Sequence, residues 1–330
     1  MMYTPQARPT FNDSCFVDID LSDDIKRRNN EVSERPLQVT VAMDTEPAMS
    51  IWKAAELGNI AVLSYFIHHY HGQQEKVTQL LNSRDPTTEC TLLYLIISNN
   101  PDPLQSLELL LEYGADVTSR NIYNVQAIHA LFLRCTDPLE PLALLIKYDA
   151  DPNARDGDGW TPVHYAARFC ETPDPILKYL VSVGADINAV DASKKTALFG
   201  LLANGDHSMT LDWLIHSAKA SIKVKGDFLD NKTRRTRQGS LVLQAAKYGR
   251  LSSLRILISS ASAMESLESI LTRDELKEAI ELVRLQLIKV TKRDCIERLG
   301  LMIMILENLI QKLFETSITR RPSLINRIWK

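Results

Sequence analysis

Between residues 156 and 191 the chain reads Asp156-Gly157-Asp158-Gly159-Trp160-Thr161-Pro162-Val163-His164-Tyr165-Ala166-Ala167, then Ile176-Leu177-Lys178-Tyr179-Leu180, then Gly184-Ala185-Asp186-Ile187-Asn188-Ala189-Val190-Asp191. Each piece has a local physical reading. Thr161 caps a helix, and Pro162 suits its first turn, where the missing N–H would have no partner anyway. Ala166 and Ala167 let neighbouring helices approach closely. Gly184 supplies the left-handed residue that ends a second helix without a Cβ clash. Aligned on Thr161, further copies fall at Met49, Cys90, Gln126, Thr196 and Ser240, with spacings of 41, 36, 35, 35 and 44 along the series. A period of that size marks stacked units rather than one closed core. Gly114-Ala115-Asp116-Val117, Asp149-Ala150-Asp151-Pro152-Asn153 and residues 184–188 are three successive exits, with Asp149 in the place that glycine fills most easily. The first copy, around Trp52-Lys53-Ala54-Ala55, and the last, around Gln244-Ala245-Ala246, lose the turn signature, as end units do.

The Asp-x-x-Gly turn, the Thr-Pro-x-His-x-Ala-Ala opening and the Gly-Ala-Asp-Ile-Asn exit together resemble the ankyrin-repeat family, whose unit is about 33 residues. The resemblance implies an all-α solenoid of helix-turn-helix repeats joined by short β-hairpin loops, with about six units over residues 49–260 and the extra residues in the connections. It implies that His129 and His164 tie turn to helix by hydrogen bonds. It also implies a concave partner-binding face built from hairpin tips and the exposed side of each first helix. On this chain those positions are Ile122, Tyr123 and Val125 in one unit, Gly157, Asp158, Trp160, Arg168 and Phe169 in the next, and Ala192, Ser193 and Lys195 in the third. Aromatic residues and arginine dominate interface energetics, so Tyr123, Trp160, Arg168 and Phe169 are the candidate anchors. The competing reading is that Trp160 or Phe169 packs on its own neighbours.

The 330 residues are 45% hydrophobic and 24% charged, with 38 basic against 41 acidic side chains. Such balance excludes a collagen-like or wholly disordered chain and argues against a whole-surface nucleic-acid binder. Cys15, Cys90, Cys135, Cys170 and Cys295 are odd in number and lack any Cys-x-x-Cys pair, which fits reduced thiols in the cytoplasm or nucleus. Met1 to Asp20 holds no apolar stretch of signal-peptide length, and the longest apolar run, Leu301 to Leu306, is far shorter than the roughly 20 residues that span a bilayer. The sequons at Asn12 and Asn231 are read as chance.

Outside the repeats the pattern changes. Residues 1–48 carry five basic and nine acidic side chains without a sustained period, and are expected to be a mostly disordered acidic leader. Residues 261–316 read as a C-terminal helical pair. Thr272-Arg273-Asp274-Glu275 forms a capping box before Leu276, Ile280, Val283, Leu287 and Val290, and Asp294-Cys295-Ile296-Glu297 opens the second helix. Ile296, Leu299, Ile303, Leu306, Ile310 and Leu313 make a short heptad seam, readable as self-association or as a cap on the last repeat; Met302, Met304 and Ile305 favour the cap. The stretch 223–238 holds Lys223, Lys225, Lys232, Arg234, Arg235 and Arg237 against Asp227 and Asp230, net +4, and is expected to project as a basic loop. The basic tail 317–330 contains Arg320-Arg321-Pro322-Ser323, a pattern favoured by basophilic kinases, which makes Ser323 a candidate phosphosite.

No phosphate loop, nucleophile elbow, zincin motif or kinase signature occurs, so no catalytic residue, metal or cofactor is assigned. His68 and His71 could share a helix face, but two imidazoles without a third ligand make a poor metal site. Two functions remain. One is a non-enzymatic adaptor or regulatory subunit that binds intracellular proteins through the concave face. The other is a nuclear, nucleic-acid-associated regulator whose basic loop contacts phosphates.

Overall fold

A computed structural model describes residues 46–70, 72–229, 235–259, 265 and 267–315. The chain divides into Met1–Gln38 and Val39–Lys330, and every described residue lies in the second unit. The leader as far as residue 45, His71, residues 230–234 with Lys232 and Arg234, residues 260–264 and 266, and the tail from residue 316 with Ser323 lie outside the described residues.

Helices come in pairs. α1 (Ile51–Leu57) and α2 (Ile60–His69) are followed by a short α3 (Gln74–Leu81), then α4 (Leu92–Asn99) and α5 (Leu104–Glu112), α6 (Ala127–Arg134) and α7 (Leu139–Lys147), α8 (Pro162–Phe169) and α9 (Pro173–Ser182), and α10 (Ala197–Asn204) and α11 (Ser208–His216). An antiparallel hairpin of β1 (Gly226–Leu229) and β2 (Thr236–Gly239) precedes α12 (Leu241–Tyr248) and α13 (Leu251–Ser259). α14 (Arg273–Leu287) and α15 (Arg293–Ile310) close the described chain, with one wide π-type turn over Gln311–Glu315.

The inner helices α1, α4, α6, α8, α10 and α12 pack each on the next, and α14 takes the seventh place in that row. The outer row runs α2, α5, α7, α9, then α11, α13 and α15, with Lys178 of α9 lying over the ring of Trp213 in α11 at 5.6 Å. Between the rows lies the core, where Leu63, Ile67, Leu92, Ile96, Leu107, Leu110, Ile128 and Leu131 are fully buried. Small residues at the inner face, Ala54, Ala55, Ala130, Ala166, Ala167, Ala245 and Ala246, are buried too, which permits the close approach expected of them.

The helix starts correct the alignment at its first two copies. Ser50 and Thr91, not Met49 and Cys90, cap α1 and α4, accepting the N–H groups of Lys53 at 3.2 Å and Tyr94 at 3.3 Å. A cap needs a side-chain oxygen, which methionine and cysteine lack. α3 fills the place of the Gly-Ala-Asp exit in the first unit, which accounts for its long spacing. At the next four exits the left-handed residues are Gly114, Asp149, Gly184 and Lys219, with φ of 94°, 66°, 92° and 60°.

α14 and α15 cap the stack. Leu276, Ile280, Val283, Leu299, Leu306 and Ile310 are buried, so the heptad seam is used within the chain against α13 and α14, although Ile296 stays 41% exposed. Thr272 accepts the N–H of Glu275 at 3.2 Å, but the Glu275 carboxylate does not return to Thr272 as a capping box requires. It turns to the sixth unit instead, accepting the N–H of Ser240 at 2.6 Å and facing the Lys225 ammonium at 3.3 Å. α15 starts one residue before Asp294, with Lys292 at its cap position.

Candidate protein-interaction site

Asn121, Asp156 and Asp191 each close a tight hairpin before an inner helix. Their N–H groups donate to the carbonyls of Val125, Trp160 and Lys195 at 3.0, 3.0 and 2.9 Å. Their side-chain oxygens accept the N–H of those same residues at 3.0, 2.8 and 2.8 Å. A left-handed residue completes each turn, Asn124, Gly159 and Lys194, and only Gly159 is glycine. Successive tips are joined: Gly157 N–H donates to the Tyr123 carbonyl at 2.9 Å, Ala192 N–H to Asp158 at 2.9 Å and Asp227 N–H to Ser193 at 2.7 Å. A Cβ at Gly157 would lie 2.9 Å from the Tyr123 carbonyl oxygen, so the close approach of the tips requires glycine there.

The histidines hold these tips to the helices. His164 Nδ1 accepts the Thr161 N–H at 3.2 Å and lies 2.9 Å from the Thr161 hydroxyl, which leaves Nε2 protonated to donate to the Lys195 carbonyl at 3.1 Å. His129 repeats this with Gln126 N–H at 3.2 Å and the Ala154 carbonyl at 2.9 Å. Burial holds both imidazoles below the ordinary histidine range, so they are neutral struts. An arginine ladder runs alongside. Arg84, Arg120 and Arg155 each donate to their own hairpin and, at 2.7 Å, to the carbonyls of Arg120, Arg155 and Val190 in turn.

On this frame the candidate anchors separate into three places. Ile122 and Tyr123 stand at one tip, 63% and 69% exposed. Val125 is buried, and this corrects its assignment to the partner surface: both its N–H and its carbonyl close the hairpin on Asn121. Trp160, Arg168 and Phe169 come together around Tyr165, a residue the motif reading passed over. Ring centroids lie 5.5 Å apart for Trp160–Tyr165, 6.1 Å for Trp160–Phe169 and 5.8 Å for Tyr165–Phe169. The Arg168 guanidinium covers Phe169 at 5.4 Å. Thus Trp160 and Phe169 pack on their neighbours, as the competing reading expects, and remain half-exposed. The Tyr165 hydroxyl donates to Asp156 at 2.8 Å, locking the cluster to the hairpin. Asp158 is exposed beside it. Lys195 is half-buried elsewhere, its ammonium 4.8 Å from the centre of the Phe228 ring.

The basic stretch is not a free loop over its described residues. It is the last hairpin of the row, lengthened into β1 and β2 and anchored by Phe228, which is buried against Phe199 at 6.1 Å. Lys225 pairs with Glu275 and Arg237 with Glu278, while Lys223 is exposed and Arg235 also has an interaction partner. The sequence hid this because the partners lie about forty to fifty residues away on α14. His68 meets Tyr113 edge-on rather than a ligand set. Burial pushes the Cys135 and Cys170 thiols up to about 12, which makes them unreactive.

Residues 130–227 match the family model of ankyrin repeats (3 copies). No curated protein matches the chain. The matched span covers the hairpins closed by Asp156 and Asp191 and the helices α8 and α10, and begins after the tip of Ile122 and Tyr123, so the chain carries ankyrin repeats where the aromatic cluster stands. Repeats of this kind serve in general as protein–protein interaction modules and are typically non-enzymatic. Among the described residues no helix is long and apolar enough to cross a membrane.

Proposed function

We propose that the chain is a non-enzymatic adaptor or regulatory subunit of the cytoplasm or nucleus that binds a partner protein through the hairpin tips and inner helices of its third and fourth units. One observation carries this reading: Trp160, Arg168 and Phe169 gather into a half-exposed cluster beside an exposed Tyr123 on the next tip. Rigid aromatic anchors flanked by arginine are what interface hot spots are made of. Burial and the hydrogen bond to Asp156 hold Tyr165 fixed beneath them, so little ordering entropy is lost on binding. The nucleic-acid reading is weaker, because Lys225 and Arg237 already face carboxylates.

The test is affinity purification at moderate salt with wild type and a Tyr123→Ala, Trp160→Ala, Phe169→Ala variant shown by circular dichroism to stay folded. A partner lost only with the variant supports the reading. Unchanged partners sink it, and a partner lost instead on adding modest salt points to phosphate contacts.

A further inference from the structure

We infer that the partner segment bound on this face is acidic: an extended stretch of polypeptide carrying aspartate or glutamate at spacings of about three and about six residues, with apolar side chains between. The inference rests on the interaction-surface reading above and adds the chemistry of the partner. Its ground is a row of residues at the last turn of the inner helices. Leu133 and Arg134 end α6, Arg168 and Phe169 end α8, and Lys247 and Tyr248 end α12, at the same two positions of each unit. The fifth unit has Ala203 and Asn204 there. Each cationic unit therefore sets a positive charge beside an exposed or half-exposed apolar side chain. The Lys247 ammonium lies 5.6 Å from the Tyr248 ring, as Arg168 covers Phe169.

Among the described residues these cations face aromatic rings or solvent rather than carboxylates. Among the described residues Arg134, Arg168 and Lys247 form no ion pair. Other positive groups crowd them. Lys195 and Lys247 both lie over the Phe228 ring, at 4.8 and 5.6 Å. Arg250 donates to the carbonyls of Leu202, Ala203 and Asn204 at the end of α10. Burial depresses Lys195 and Arg250, and nearby Lys247 pushes the first further, as Arg298 and Arg168 push the second. Three carboxylates offset part of this charge: Asp191 and Asp227 favour the charged Lys195 and Asp206 the charged Arg250, while they also take the Lys195 N–H, face Lys194 and accept the N–H groups of Ser252 and Ser253 respectively. Like charges held together raise the energy of the folded chain, and an anionic ligand relieves that repulsion.

The spacing selects a peptide. Packed helices lie about 8–10 Å apart, and an extended chain advances roughly 3.3 Å per residue. Carboxylates about three residues apart therefore keep step with α6 and α8, and one about six residues further on meets α12, since the fifth unit between them offers no cation there. A nucleic-acid backbone carries a charge about every 3.4 Å of each duplex strand, too dense for this row.

The experiment is selection from a random twelve-residue peptide library on the full chain, followed by binding of the enriched peptides to wild type, to R168E/K247E and to W160A/F169A. Wild type should enrich Asp and Glu at spacings near three and near six. R168E/K247E should bind those peptides at least about tenfold more weakly and enrich Lys and Arg instead, an inversion that misfolding cannot produce. Enriched peptides without acidic residues overturn the inference. So do acidic peptides whose binding survives the charge reversal, or a single-stranded oligothymidylate that binds more tightly than any enriched peptide. If neutral apolar peptides are enriched and lost only in W160A/F169A, the interaction surface stands and the acidic partner falls.

Discussion

The third and fourth units on one side and the sixth on the other are tied to their neighbours by different chemistry. In the middle of the stack the ties repeat with the chain. Arg120 and Arg155, 35 residues apart, each bond the carbonyl at the same place in the next unit, and His129 and His164 each reach a carbonyl of the next hairpin region, Ala154 before the turn and Lys195 at its end. At the C-terminal end the period breaks. Val190 stands where the next arginine would be, Phe199 where the next histidine would be, and the hairpin is longer. Individual contacts replace the ladder there: Phe228 packs on Phe199, Gln244 donates to the Phe199 carbonyl at 2.8 Å, and Glu275 from α14 grips Ser240 and Lys225. Side chain-to-backbone ladders suit repeated geometry, because every unit offers the same carbonyl. An end unit has no such successor and must be closed by contacts that occur once.

The sharpest way to break this contrast is Phe228→Ala. Removing a buried aromatic side chain costs about 3–5 kcal/mol, and the loss should be confined to the sixth unit and the terminal pair. Hydrogen exchange by mass spectrometry would show faster exchange over β1, β2, α12 and α14 with α6 and α8 unchanged; uniform acceleration would show that the end is not a separate closure. Glu275→Ala should cost about 2–3 kcal/mol, since it leaves Lys225 and the Ser240 N–H without their partner. Chemical denaturation measures it, and Glu275→Gln should recover part of the loss by keeping an acceptor for Ser240.

A smaller effect is expected from acid, and it belongs to the middle units. Burial holds His129 and His164 below their unfolded value, against the pull of Asp156 on His129 and of Asp191 and Asp156 on His164. The unfolded chain therefore binds more protons, and stability complete above about pH 6.5 falls as pH drops below it. Thermal melts between pH 7.5 and 5.5 should show this slope, and a His129→Gln, His164→Gln variant should flatten it. The smallest effects form a matched pair. Thr161→Val removes a hydroxyl bonded to His164 and should cost about 1 kcal/mol. Thr196→Val removes a buried hydroxyl that has no partner in the fifth unit, where Phe199 replaces the histidine, and should be neutral or stabilising by up to about 1 kcal/mol.

Much of the fold was legible because Thr161, Pro162, His164, Gly184 and Asn188 act within their own unit or one period away. Other parts were concealed by residue types that do the same job atypically. Lys194 and Glu89 adopt the left-handed turn conformation at φ of 58° and 55° without being glycine. Thr118 stands where Asn153 and Asn188 reach into the next unit, and its hydroxyl turns back to Asp116 at 2.7 Å. Of the candidate site, Trp160, Arg168 and Phe169 followed from the motif. Tyr165 did not, since a tyrosine inside an inner helix reads as core until its hydroxyl is seen on Asp156. Arg134, Lys247 and Tyr248 occupy positions equivalent to those of Arg168 and Phe169 and could have been found by carrying the same register through every unit.

By itself the sequence determined the period, the helix ends and the caps, because these depend on neighbours within a few residues or on a strict repeat. Only the tertiary structure decided which charges are spent and which are available. Lys225 and Arg237 stand in the most basic stretch of the chain yet meet carboxylates on α14, whereas Arg134, Arg168 and Lys247, scattered singly through the sequence, form no ion pair among the described residues. Pairing of charge depends on distance in space, and composition along the chain carries no measure of it.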